Sequence, residues 1–196
     1  MSDTFLVVGL GNPGPGYAFN RHNVGHMAVD ILAKRIGASW KSHKAGAVVA
    51  EGRLGMGGPK VILAKSTGYM NTSGRPVAGL MKFYGVDLAR TIVLHDELDI
   101  PAHDVRIKVG GGHAGHNGLR DIIAACGGAD AGSGFVRVRI GIGRPPGQMA
   151  TADYVLKDFP AGERTEVAVT LEIAADATES IIKEGVTNAQ QHFHAK

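Results

Sequence analysis

Four polar side chains, Asn12, Tyr17, His22 and Asn23, crowd behind a short apolar run and a glycine-proline turn, Gly9-Leu10-Gly11-Asn12-Pro13-Gly14-Pro15-Gly16. An imidazole is the side chain poised to move protons near neutral pH. Amides donate and accept hydrogen bonds at once, which suits a ligand that also does both. Two further clusters have the same potential. His95-Asp96-Glu97-Leu98-Asp99 closes an apolar run with carboxylates, placed for chemistry, for metal binding or simply for a solvated loop. Gly110-Gly111-Gly112-His113-Ala114-Gly115-His116-Asn117-Gly118 combines mobile backbone with two imidazoles and an amide, the composition of a ligand loop. A nucleophilic serine is not evident: there is no G-x-S-x-G, and Ser133 stands in a loose glycine-rich stretch.

Apolar periodicity supplies the elements that position these groups. Residues 5–8 read as a buried strand, and open α/β sheets place ligands in loops at such strand ends. Val24, Met27, Ala28, Ile31, Leu32 and Ile36 follow at helical spacing, with Gly37 as a stop and His22 at the first turn. Residues 45–54 and 60–65 read as two strands about a glycine turn. A second helix carries Val77, Leu80, Met81 and Tyr84 and ends at Gly85; Asn71 or Ser73 suits its cap. Residues 91–94 form another strand. Val105, Ile107 and Val109 alternate with Arg106 and Lys108, and Val136, Val138 and Ile140 alternate with Arg137 and Arg139, giving two half-buried strands with basic outer faces. Leu119, Ile122, Ile123 and Cys126 mark a third helix, residues 127–134 a flexible connection, and 160–185 a long last helix before a polar tail. Strands alternating with helices define the α/β class: one domain over residues 1–196, with a twisted, mixed, mostly parallel sheet flanked by helices.

The chain has 196 residues, 44% hydrophobic, a net charge of +3 and one cysteine. This suits a single globular core and excludes an internal disulfide framework. With no signal peptide and no apolar run of membrane-spanning length, a soluble cytoplasmic protein is expected. Gly9-x-Gly11-x-x-Gly14 fits a dinucleotide fingerprint, but Pro13 and Pro15 interrupt the place where the cofactor helix should begin, and Asp30 falls inside a helical pattern. His113 and His116 with Asp96, Glu97 and Asp99 offer metal ligands, but no glutamate lies between the histidines, so the zinc-protease pattern fails.

Taken together, Gly9-Leu10-Gly11-Asn12-Pro13-Gly14 with Tyr17, Arg21-His22-Asn23-Val24-Gly25, Tyr69-Met70-Asn71 with Ser73-Gly74, His95 to Pro101, Gly110 to Leu119, and Ile140-Gly141-Ile142-Gly143-Arg144-Pro145 resemble the bacterial-type peptidyl-tRNA hydrolases, in the family's order and over nearly the whole chain. Asn20, Tyr69 and Ala114 stand where that family more usually has threonine, phenylalanine and glycine. The resemblance implies hydrolysis of the ester joining a peptide to the 3′-terminal ribose of tRNA, which frees tRNA from peptides dropped by ribosomes, with no metal or organic cofactor. It makes His22 the general base and Asp96 its orienting partner. Asn12, Asn71 and Asn117 then bind the peptide backbone and the attacking water, with Asn12 counted in the catalytic set, while Tyr17 and Met70 line the cleft. The chemistry agrees: ester hydrolysis needs a base that titrates near neutrality, and a carboxylate fixes the imidazole tautomer. Arg106, Lys108, Arg137 and Arg139 are the expected tRNA contacts, with Lys108 and Arg139 gripping phosphate at the acceptor end. A monomer is expected. The alternatives are a non-catalytic RNA-binding relative of the same fold, a metal hydrolase and a nicotinamide oxidoreductase.

Overall fold

In the computed structural model, which describes residues 3–194, the apolar run near the N-terminus becomes β1 (Phe5–Gly9). Leu6 to Val8 are buried, and a strand covered on both faces has no need of alternation. It lies parallel to β4 (Lys60–Ser66) and to β5 (Thr91–Glu97), and β7 (Val136–Gly141) continues the parallel run beyond β5. Antiparallel strands flank this centre. β2 (Lys41–His43) and β3 (Ala47–Arg53) extend it beside β4, and β6 (Val105–Val109) pairs with β7. The sheet order is β2-β3-β4-β1-β5-β7-β6, so the expected mixed α/β domain is present, with its parallel strands in the middle.

Two apolar layers sandwich the sheet. On one side Val7, Ile92 and Leu94 pack with α1 (Val24–Arg35) and α5 (Arg164–Glu184). On the other, Leu6, Val8 and Val93 pack with α2 (Gly74–Tyr84) and α3 (Asn117–Cys126). Alternation along each strand sends neighbouring residues to opposite layers. α1 approaches the sheet very closely at its start: a Cβ on Gly25 would lie 2.3 Å from Leu94 O, and one on Gly9 would lie 2.2 Å from Gly25 O. Only glycine permits this contact, and it brings the 3₁₀ turn Arg21–Asn23 to the C-terminal end of β5.

Four features differ from the sequence reading. β5 runs on through His95, Asp96 and Glu97, because β7 stays in register to Gly141 and Ile142 N–H donates to Glu97 O (3.0 Å). β2, the short α4 (Thr151–Val155) and α6 (Val186–His194) carry too little apolar pattern to be read in advance. α6 covers the outer edge of β6: Ile107 N–H donates to His194 Nε2 (2.8 Å) and Gln190 Nε2 donates to Ile107 O (3.1 Å). An edge strand's unpaired backbone is thereby satisfied by side chains. Among the described residues no helix is long and apolar enough to cross a membrane.

Candidate active site

Asp96 sits near the C-terminal end of β5 and is reached from both layers. The turn before α1 supplies His22, whose Nδ1 is 2.7 Å from Asp96 Oδ2. The loop before α3 supplies His116, whose Nε2 is 2.7 Å from Asp96 Oδ1. The two rings stand 5.0 Å apart between centroids. His22 and Asp96 are buried.

The hydrogen bonds assign the protons. Burial favours a neutral Asp96, but His116 and His22 outweigh it and hold the carboxyl well below the usual carboxylate range. An ionised carboxylate only accepts, so His22 Nδ1–H and His116 Nε2–H both donate to it. His116 Nδ1 accepts from Leu119 N–H (3.3 Å), capping α3, which agrees with that tautomer. His22 Nε2 keeps its lone pair. Burial disfavours charge on His22, but the Asp96 carboxylate more than compensates and raises its pKa above the ordinary 6.5.

A cleft of about 460 Å³ opens onto this triad, lined by His22, Asp96, His116, Asn117, Arg144 and Val155 among others. Tyr154 and the turn that carries His22 hold its α4 wall in place: Arg21 stacks 4.1 Å from the Tyr154 ring centroid and donates to Tyr154 O and Lys157 O (both 3.3 Å). Asn12 is buried in a network of its own. Its backbone N–H donates to Asn23 Oδ1 and its carbonyl accepts from Asn23 Nδ2 (both 2.9 Å), while Met70 N–H donates to Asn12 Oδ1 (2.7 Å). One lone pair of the amide oxygen is therefore committed, and Nδ2 remains to serve a ligand. Asn12 borders a neighbouring cleft of about 310 Å³ with Asn23, His26, Asp30 and Lys65. Asn71 is exposed on the 3₁₀ turn that begins at Met70. Met70 is buried with its Sδ close to Gly118, at the foot of α3. Tyr17 meets Tyr69 edge-on at 6.2 Å.

His116 is the site residue that sequence reasoning did not assign to catalysis. Its only sequence signal is its place in the glycine loop, where it reads as a metal ligand. The structure separates it from His113, whose Nδ1 accepts from Gly115 N–H within its own loop (3.0 Å). One ligand atom each from His22, Asp96 and His116 lies within 4.8 Å of the others. Both contacts to the carboxylate are nevertheless 2.7 Å, shorter than the separation of about 3.3 Å between ligands around tetrahedral zinc, as its bond lengths require. As they stand, the two contacts are hydrogen bonds. The dinucleotide reading gains nothing either: Asp30 belongs to α1 and pairs with Lys65 Nζ (2.7 Å). His26 is a packing residue; burial and nearby Lys65 push its pKa down to about 3.

The four expected tRNA contacts lie on adjacent strands, Arg106 opposite Arg139 and Lys108 opposite Arg137. Arg106, Lys108 and Arg139 are partly exposed. Arg137 departs from the expectation of a solvated basic face: its side chain is 2% exposed. The alternating pattern could not show that the 110–112 loop folds over it.

The whole-chain comparison decides the family. A family model described as peptidyl-tRNA hydrolase matches residues 6–196. The chain belongs to the peptidyl-tRNA hydrolase family. It is 55% identical to the peptidyl-tRNA hydrolase of Arthrobacter sp. (strain FB24), over 99% of this chain and 98% of that one. It is 57% identical to that of Pseudarthrobacter chlorophenolicus, over 99% and 97%. The crystal structure of peptidyl-tRNA hydrolase from Acinetobacter baumannii superposes with a TM-score of 0.88 at 36% identity, covering 100% of this chain and 96% of that one.

Proposed function

We propose that the chain hydrolyses the ester between a peptide and the 3′-terminal ribose of tRNA, returning tRNA from peptidyl-tRNA dropped by ribosomes. Family membership supports the reaction. The observation that carries the mechanism is the His22–Asp96 bond, which commits Nδ1–H to the carboxylate and leaves Nε2 free as a base. His22 Nε2 takes a proton from water as the water oxygen attacks the ester carbonyl. Asp96 stabilises the imidazolium so formed. The tetrahedral oxyanion needs a donor, and Asn12 Nδ2, whose sister oxygen is held by Met70 N–H, supplies one of fixed orientation. When the intermediate collapses, the C–O bond to the ribose breaks and the imidazolium returns its proton to the leaving 3′ oxygen. Asn71 and Asn117 hold the peptide backbone, and Tyr17 and Met70 meet the peptide.

Arg106, Lys108 and Arg139 stand on an open strand pair and suit tRNA phosphates, the main source of nucleic-acid affinity. The enzyme works as a cytoplasmic monomer without metal. The test is cleavage of N-acetyl-aminoacyl-tRNA in the presence of EDTA by wild type and His22→Ala, with sedimentation for the assembly state. Rapid wild-type cleavage and a near-inactive variant are expected. A wild type that binds tRNA without cleaving it would favour the RNA-binding alternative, and inhibition by EDTA would favour a metal.

A further inference from the structure

We propose that Arg137 is a positioning residue of the hydrolytic site and not a phosphate ligand: its buried guanidinium sets where His116 meets Asp96. The inference rests on the hydrolase reading above and assigns this arginine a role within it.

Nε and Nη1 of the guanidinium are spent inside the protein. Nε donates to His95 Nε2 (3.2 Å), and Nη1 donates to Gly110 O (3.3 Å) and Gly112 O (2.9 Å). Nη2 faces Glu97 Oε1 at 3.9 Å. These partners are the two supports of His116. The first is a ring. Accepting from Arg137 fixes His95 Nε2 as the unprotonated nitrogen, so Nδ1–H donates to the backbone oxygen of Asp96 (2.8 Å). The His95 ring then packs edge-on against His116, 5.3 Å between centroids. The second support is the loop itself, which runs from Gly112 to His116. Its backbone lies against the basic side chains: a Cβ on Gly111 would come within 2.5 Å of Lys108 Cε and 3.3 Å of Arg137 Nη1. One guanidinium therefore holds both the ring on which His116 rests and the loop that carries it, beside the lysine expected to meet tRNA. Only a planar fork spans acceptors on both sides; an ammonium cannot.

A phosphate ligand and a positioning residue fail differently. The experiment compares Arg137→Lys with Lys108→Ala on N-acetyl-aminoacyl-tRNA and on the same ester of adenosine, across pH and salt. For Arg137→Lys, kcat falls on both substrates by about tenfold to a hundredfold, the cost of misplacing a catalytic group by part of an ångström. The acid limb of its pH profile moves. For Lys108→Ala the loss is confined to tRNA, and the slope falls by about one. A loss for Arg137→Lys seen only with tRNA would overturn the proposal. So would a lowered melting temperature with unchanged kcat and pH profile, the mark of a purely structural role.

Should Arg137 variants not fold, or wild type cleave neither ester, the wild-type protein still decides whether this residue meets phosphate. Its Arg137 Nε–H resonance, bonded to His95, is followed by NMR during titration with an uncharged acceptor-stem RNA. A resonance that holds its position while those of Lys108 and Arg139 move is expected. A large shift of the Arg137 signal would show phosphate contact and contradict the assignment.

Discussion

The Asp96 cluster and the basic strand pair both gather ionisable side chains around β5 and β7, but they use them in opposite ways. Around Asp96 each carboxylate oxygen has a histidine at 2.7 Å, drawn from different layers of the sandwich. On the strand pair, Arg106, Lys108 and Arg139 stay partly exposed, and their countercharges are looser, with Glu97 at 3.8 Å from Arg139 and Asp104 at 3.1 Å from Arg106. Closed valences fix a proton's position, which chemistry requires. Open ones leave charge available to a partner, which recognition requires. Arg137 lies in the second group by sequence and in the first by environment.

The sharpest way to break this comparison is to open the closed cluster. His22→Ala should lower kcat by about 10²- to 10⁴-fold, the span of general-base catalysis, measured in single turnover with saturating enzyme. Asp96→Asn should lose nearly as much, because a neutral amide neither fixes the tautomer nor stabilises the imidazolium. A variant with wild-type kcat in either case removes the base assignment.

Altering the open group should leave the chemical step alone. Arg139→Ala should raise KM for N-acetyl-aminoacyl-tRNA about tenfold and reduce the slope of log affinity against log salt by about one, while hydrolysis of a short adenosine ester stays unchanged. Equal losses on both substrates would erase the division between the two groups.

A smaller effect tests the fold that delivers His22. Gly25→Ala places a methyl group against Leu94 O at 2.3 Å and should cost about 1–3 kcal/mol, seen as a lower thermal midpoint. An unchanged melting curve would show that the close approach of α1 is not required.

Much of this was legible in the sequence. The 3.6-residue periods of α1, α2 and α3, the alternation of β6 and the turn glycines Gly37 and Gly85, both at positive φ, reported local geometry directly. What failed to show was set by tertiary pairing. β5 reaches Asp96 as a strand because β7 accompanies it. His116 meets Asp96 because the glycine loop turns back over the sheet end. Val-Arg-Val-Arg on β7 reads as a solvated basic face, and only the folded 110–112 loop buries Arg137. Asn12 offered two hydrogen-bonding ends on paper, and Met70 N–H takes one of them.

Protonation couples stability to activity with opposite signs. Asp96, depressed in the fold, stabilises the protein above the ordinary carboxylate pKa, and that contribution fades as pH falls through its folded value. His22, raised in the fold, stabilises it below about 6.5, and that contribution is lost as pH rises through its folded value. Catalysis needs the neutral base, so it gains from the rise that removes this stabilisation.

His22 is the base, and Asp96 is shared between two histidines. The pH dependence of kcat/KM for N-acetyl-aminoacyl-tRNA, measured on wild type and on His116→Ala, tests this assignment most directly. The account predicts one acid limb for wild type with a midpoint above 6.5, displaced to higher pH in His116→Ala, where the whole carboxylate turns to His22. A profile flat between about pH 5 and 8, or a limb that does not move when His116 is removed, would contradict it.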